Sequence, residues 1–228
     1  MKFLLYLLPL FVLGCNSADS SSVKKEDGHL YLRTYMWTGM YGSNLDISWI
    51  FLSEDGKIVR NPTHGVNPVQ WEKETQDNAA NTGHYTEENG KLAISWSNGK
   101  TASWGIEKKD GKLTIIDGGI VSEPDAMPEH YRIEGQYAAA TVLPNVANTQ
   151  TLVFQKDGSF TMNNLGTVTT ADVAASSQND KMGTYDITGN TLRFKFTNGE
   201  EKKSVICIWD MDGQKNLVIN SRYYPQEK

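Results

Sequence analysis

The residues able to carry chemistry are few and lie far apart. The four histidines are His29, His64, His84 and His130. None is spaced from another as metal ligands are, and neither an H-E-x-x-H nor a G-x-S-x-G motif occurs. His29 and His130 fall at matching entrances to two halves of the chain, which suggests an inherited structural position or chance. His64 and His84 flank a long loop. The carboxylates gather at turns such as Glu54-Asp55 and Glu87-Glu88, where turn chemistry explains them without a catalytic role. The sequence therefore predicts no catalytic residue, no metal and no cofactor, and a chain that is not an enzyme.

Aromatic side chains are the better candidates for binding. Among the six tryptophans, Trp37, Trp71 and Trp96, together with Tyr35, are candidate ligand-binding residues. Met36, Met40 and Tyr41 make the same region soft and apolar. Such residues line pockets for small, partly apolar ligands. Exposed on a surface, Trp37 or Trp71 would instead stack on sugar faces, and the plain alternative is core packing. The second half carries Ala138-Ala139-Ala140 where Met36-Trp37-Thr38 would align, so the halves should differ in what they hold.

Composition narrows the partners. With 22 Lys and Arg against 27 Asp and Glu, the formal net charge is −5. No basic stripe exists for a nucleic acid, which is excluded as a partner. Hydrophobic residues make up 39 %, enough for a globular core. Two cysteines, Cys15 and Cys207, cannot frame a metal site.

Cys15 ends a distinctive segment. After Met1-Lys2 an apolar run extends from Phe3 to Leu13, followed by Gly14-Cys15. This is a secretory signal pattern, too short for a spanning helix of roughly 20 residues. Val12-Leu13-Gly14-Cys15 resembles the bacterial lipobox. That resemblance implies cleavage after residue 14, lipid attachment at Cys15 and a cell-envelope lipoprotein held on a membrane. Asn16, rather than Asp, after the cysteine implies the outer membrane. Residues 15–29 are Ser-, Asp- and Lys-rich, with too little apolar surface to fold, and are expected to form a flexible tether.

The rest of the chain reads as one unit used twice. Gly83-His84-Tyr85 returns as Gly183-Thr184-Tyr185, and the segment Leu92–Gly99 as Leu192–Gly199. Ile50–Gly56 returns as Leu152–Gly158, and Tyr35 aligns with Tyr137 at the same offset. Leu92, Ile94 and Trp96 alternate with small or polar residues, as do Leu192, Phe194 and Phe196. Such alternation marks half-buried strands. Asn98-Gly99, Asn198-Gly199, Asp55-Gly56, Asp110-Gly111, Asp157-Gly158 and Asp212-Gly213 supply positive-φ residues for hairpin turns. The fold class is all-β, with two homologous antiparallel meanders in tandem over 30–120 and 131–228, joined by a linker at 121–130. Two long stretches, Asn61–Asn81 and Leu165–Lys181, interrupt the meanders; short helices are expected near Val69–Asp77 and Thr170–Ser176. Val205-Ile206-Cys207-Ile208-Trp209 is apolar on both strand faces. One face meets a barrel core, and the other meets the sister domain or a protein partner through Val205, Cys207 and Trp209. Cys207 reads as a small buried hydrophobe rather than a nucleophile.

Each unit resembles the lipocalin-like domains of bacterial lipoproteins and periplasmic proteins. The resemblance rests on Gly135-Gln136-Tyr137, on the hairpin Phe154-Gln155-Lys156-Asp157-Gly158, and on Gly183-Thr184-Tyr185. The first unit has Arg33 where the opening glycine would stand. The resemblance implies barrels, binding of a small, partly apolar ligand and no catalytic residues. A structural or protein-interaction lipoprotein with self-filled barrels, or a carbohydrate-binding module, would show the same turns and alternation.

Overall fold

Alternating strands joined by tight turns must bury one apolar face, and a sheet that curls on itself does so. The computed structural model describes residues 28–39, 42–143, 146–169, 174–211 and 213–227. Cys15, the apolar run before it, Met40 and Tyr41 lie outside the described residues.

The first half consists of β1 (Gly28–Gly39), β2 (Gly42–Ser53), β3 (Lys57–Arg60), α1 (Trp71–Asp77), β4 (Thr82–Glu88), β5 (Lys91–Trp96), β6 (Thr101–Lys109), β7 (Lys112–Ile116) and β8 (Gly119–Ser122). The second consists of β9 (Gly135–Leu143), β10 (Val146–Phe154), β11 (Ser159–Thr169), β12 (Ala174–Thr188), β13 (Thr191–Phe196), β14 (Glu201–Met211), β15 (Gln214–Ile219) and β16 (Arg222–Tyr224). β1 to β8 pair antiparallel in sequence order and close into a barrel. β9 to β16 form an eight-stranded antiparallel sheet in the same order. Its ends meet at a bridge between Tyr137 and Gln226, with Glu227 N donating to Gln136 O at 2.8 Å. The chain is thus all-β, two lipocalin-like barrels in tandem.

The duplicated residues do duplicated work. Tyr85 N donates to Gly56 O at 2.8 Å, and Tyr185 N to Gly158 O at 2.7 Å. A Cβ on Gly83 would lie 2.2 Å from Ser95 O, and one on Gly183 2.0 Å from Lys195 O. Only glycine permits that backbone approach. Leu92 and Ile94 are buried in one barrel, and Leu192, Phe194 and Phe196 in the other.

Three expectations need correction. The first concerns the helix near Thr170–Ser176. Ala174–Ser176 is strand, paired with Thr167–Thr169, and 170–173 lie outside the described residues. The Thr- and Val-rich arm favours a long hairpin over a helix. The helix of the first half does form, as α1. The second concerns Tyr35, which does not occupy the place of Tyr137. Tyr31 does. It pairs with Ile50 as Tyr137 pairs with Leu152, and both tyrosines are buried. The β1–β2 hairpin is longer than β9–β10, so a constant sequence offset misaligns the two opening strands. Met36-Trp37-Thr38 therefore do not correspond to Ala138-Ala139-Ala140; Leu32-Arg33-Thr34 do. The third concerns the Asn-Gly turns. Gly99 and Gly199 have positive φ, whereas Asn98 and Asn198 do not. Each asparagine instead accepts a backbone N–H two residues on, Lys100 at 3.1 Å and Glu200 at 3.0 Å. The side chain closes the turn.

The barrels share a third core. Leu32, Ile47, Trp49, Phe51 and Val59 point outward from β1–β3 and join Val66 and Val69 of the following loop. Across from them stand Val205, Cys207 and Val218 from the outer face of β14 and β15. Trp209 packs at its margin, with Tyr223 edge-on at 5.8 Å. Polar bonds cross the same boundary. Trp49 Nε1 donates to Asn220 O at 2.5 Å, and Thr191 Oγ1 accepts from Val66 N and Asn67 N at 2.8 and 3.0 Å.

The loop between β3 and α1 is held from the helix. Glu74 is fully buried. Its carboxylate accepts from Thr63 N and His64 N, each at 2.6 Å, and from Asn78 Nδ2 at 3.2 Å. Buried charge is tolerated where donors converge on it.

Candidate functional site

The aromatic candidates of the first half occupy different parts of the molecule. Tyr35 and Trp37 lie on the exposed far end of β1. The Arg33 guanidinium stacks 5.4 Å from the Tyr35 ring. Trp71 lies on α1, outside the barrel, against Phe51 at 6.1 Å. Trp96 packs on the core inside barrel 1, 5.5 Å from Trp104. Only Trp96 belongs to the barrel interior, and there it fills space.

Arg33 and Trp104 complete that filling. Arg33 is buried; it lies over Gly119, where an added Cβ would meet the Arg33 side chain at 2.7 Å. Its Nε donates to Ile116 O at 2.8 Å and Nη2 to Asp117 O at 2.7 Å. Nη1 reaches Asp46 at 3.3 Å. An arginine with both backbone and carboxylate acceptors is a stable plug.

The same layer in barrel 2 is built from smaller or polar residues. Arg33 faces Ser48 across β1–β2, and its counterpart Ala139 faces Gln150. Trp104 faces Leu92, and its counterpart Ser204 faces Leu192. A cavity of about 320 Å³ opens at this mouth, with Gln150 and Ser204 in its lining. Its floor is apolar, formed by Leu152, Met162, Phe194, Phe196 and Ile219. Its wall is a chain of hydrogen bonds. Tyr224 Oη donates to Gln150 Oε1, Gln150 Nε2 to Asn164 Oδ1 at 2.6 Å, and Asn164 Nδ2 to Asn179 O at 3.4 Å. On the facing side Asn220 Nδ2 donates to Ser204 Oγ at 3.2 Å. Burial raises the Tyr224 hydroxyl above its ordinary pKa, so it stays protonated as the donor that starts the chain.

Two lysines edge the opening. Lys181 pairs with Glu200 at 3.3 Å and lies 4.9 Å from the centre of the Phe196 ring. Lys202 faces Phe194 across β13–β14, so it shares the inward face. The arrangement offers an apolar floor, neutral donors and acceptors along one wall, and a rim with the Lys181–Glu200 pair and Lys202. It suits a small amphipathic molecule.

Three of the four histidines have acidic partners. His29 contacts Glu123 at 3.4 Å, His64 contacts Asp77 at 2.9 Å, and His130 contacts Asp186 at 2.8 Å. Cys207 is buried in the core between the barrels, and desolvation pushes its thiol up to about 12. Gln150, Asn164, Ser204 and Tyr224 were not anticipated. Their signal is a polar residue at an inward position of a strand, legible only once register is known. No protein family, no curated protein and no solved structure matches this chain.

Proposed function

We propose that this chain is a non-enzymatic lipoprotein of the bacterial cell envelope that binds a small, partly apolar ligand in the mouth of barrel 2. The single observation behind this reading is the asymmetry of the two mouths. Barrel 1 is plugged by Arg33, Trp96 and Trp104, whereas barrel 2 keeps an open cavity with an apolar floor and a hydrogen-bonded wall. The apolar run ending in Gly14-Cys15 supports anchoring through a lipidated Cys15, and Asn16 supports the outer membrane. More than one acyl chain would make that anchor stable. Lys202 favours a ligand whose polar end is anionic or a strong acceptor, Lys181 being paired with Glu200.

A second reading, a protein-interaction lipoprotein, draws on the exposed Met36, Trp37 and Leu45 of the β1–β2 hairpin. In that reading the barrels serve as a rigid scaffold.

Every strand and core described above lies within Gly28–Glu227, so the chain from Val23 onward carries the fold. Secreted to a bacterial periplasm and sprayed under native conditions, it should retain a stoichiometric adduct that denaturation releases. It should also bind the apolar fluorophore N-phenylnaphthylamine. A clean apo mass together with no fluorophore binding would leave the scaffold reading in its place. Metabolic labelling with palmitate should mark the full chain and not its Cys15→Ala variant.

A further inference from the structure

We propose that the free edge of β12 pairs with the same edge of a second copy of this chain, joining two molecules through one continuous sheet. The mouth of barrel 2 is uneven. β9 to β12 run on past it as a four-stranded arm: β10 pairs with β11 as far as Val146 and Val168, and β11 with β12 as far as Thr169 and Ala174. β13 stops earlier, at Phe196. Met182 O accepts from Thr197 N at 3.0 Å on that side. Backbone groups alternate sides along a strand. Ala174, Ser176, Gln178 and Asp180 therefore aim their N–H and C=O groups the same way as Met182, beyond the end of β13. Among the described residues nothing pairs with them, and residues 175–180 are exposed.

Three features point to the partner. First, the edge is unguarded. An exposed edge templates pairing with another strand, and proteins block unwanted pairing with charge, proline or bulges. Elsewhere the strand ends carry charges, Glu87-Glu88 on β4, Glu107-Lys108-Lys109 on β6 and Glu201-Lys202-Lys203 on β14. From Ala174 to Asn179 β12 has no charge and no proline, and its register with β11 never shifts. Second, the edge complements itself. Antiparallel pairing about a two-fold axis at Ser177 sets Ala174 against Asp180 and Ser176 against Gln178, so every free N–H meets a free C=O. No like charges, which would be destabilising, fall opposite each other. Third, that pairing closes. A two-fold contact uses the same edge on both molecules and leaves none over. The opposite edge of the arm is partly occupied, since Ala138 N donates to Pro225 O at 3.2 Å and Glu227 N to Gln136 O at 2.8 Å. A head-to-tail row of copies through β9 and β12 is therefore disfavoured.

Sedimentation of the chain from Val23 onward, from micromolar to submillimolar concentration, tests this. A monomer–dimer equilibrium is expected. Ser176→Pro removes an edge N–H and leaves the ladder to β11 whole, a place where strands tolerate proline. It should weaken the dimer about tenfold or more, since each copy loses a backbone bond across the axis. Gln178→Lys supplies the missing guard at an exposed position and keeps the fold. It should weaken the dimer about three- to tenfold. Ser177→Cys should oxidise to a disulfide-linked dimer far faster than Met36→Cys, whose side chain is exposed on the other barrel. Residues opposed in a pair without hydrogen bonds bring their side chains closest. A monomer at every concentration, a dimer that neither Ser176→Pro nor Gln178→Lys weakens, or no preference for cross-linking at Ser177 would overturn the proposal. The first of these would leave the edge to a foreign strand.

Discussion

At one layer the two barrels part company. In barrel 1 Arg33 stands opposite Ser48, with Trp104 nearby; in barrel 2 Ala139 stands opposite Gln150, with Ser204 at the place of the indole. Strand order, pairing and the close glycine contacts at Gly83 and Gly183 correspond in the two barrels, although the first hairpin and the third connection differ. Duplication supplied two equivalent shells, and a few inward positions decide whether each is solid or hollow. The solid version is held by charge-assisted bonds from a buried guanidinium. The hollow version replaces volume with a relay of neutral amides. A barrel of about eight strands sits at the size where either outcome is available.

The comparison can be broken from either side. Arg33→Ala should have the largest effect, because it leaves Ile116 O and Asp117 O without their donor and opens a void. A loss of about 3 kcal/mol is expected in urea unfolding, and the emptied mouth should gain N-phenylnaphthylamine binding if volume alone distinguishes the barrels. Ser204→Trp is the reverse exchange. It should abolish fluorophore binding in barrel 2 and cost about 1–3 kcal/mol through overpacking, read by fluorescence titration and by unfolding.

Cys207 sharpens the comparison from outside the barrels. Its thiol should resist alkylation at pH 8 in the folded protein and react on unfolding, since burial holds it up to about 12. Val218→Ala, made beside it in the shared core, should speed the reaction measurably.

The smallest effect concerns Asp186, which has no counterpart in barrel 1. Burial pushes its carboxyl up, but His130 and Arg132 outweigh that and hold it below the ordinary range. A lowered carboxyl stabilises the fold above the ordinary carboxylate pKa, and the gain fades as pH falls through the lowered value. Asp186→Asn should therefore cost less than about 1 kcal/mol at pH 7, as exposed pairs do. The cost should vanish in strong acid, and unfolding curves at the two pH values test this.

Sequence carried the shells further than their contents. Alternation in Leu92–Trp96 and Leu192–Phe196 and the recurring Asp-Gly pairs were enough for strands, turns and duplication. The alignment of Tyr35 with Tyr137 failed because hairpin length is set by pairing, which composition does not reveal. That slip also hid the Arg33–Ala139 exchange. Gln150, Asn164 and Tyr224 look like ordinary strand residues until closure turns them inward. Glu74 stands among polar residues in sequence, and only the return of the loop over α1 buries it.

The shared core between the barrels has a consequence for how the chain comes apart. Val205, Cys207 and Val218 are covered only because Trp49, Phe51 and Val59 face them. Neither repeat owns a finished surface. The two should melt together in one cooperative transition, not in sequence. Cut within 123–126 and made as separate chains, the halves should find each other and reassemble as a heterodimer across the same seam.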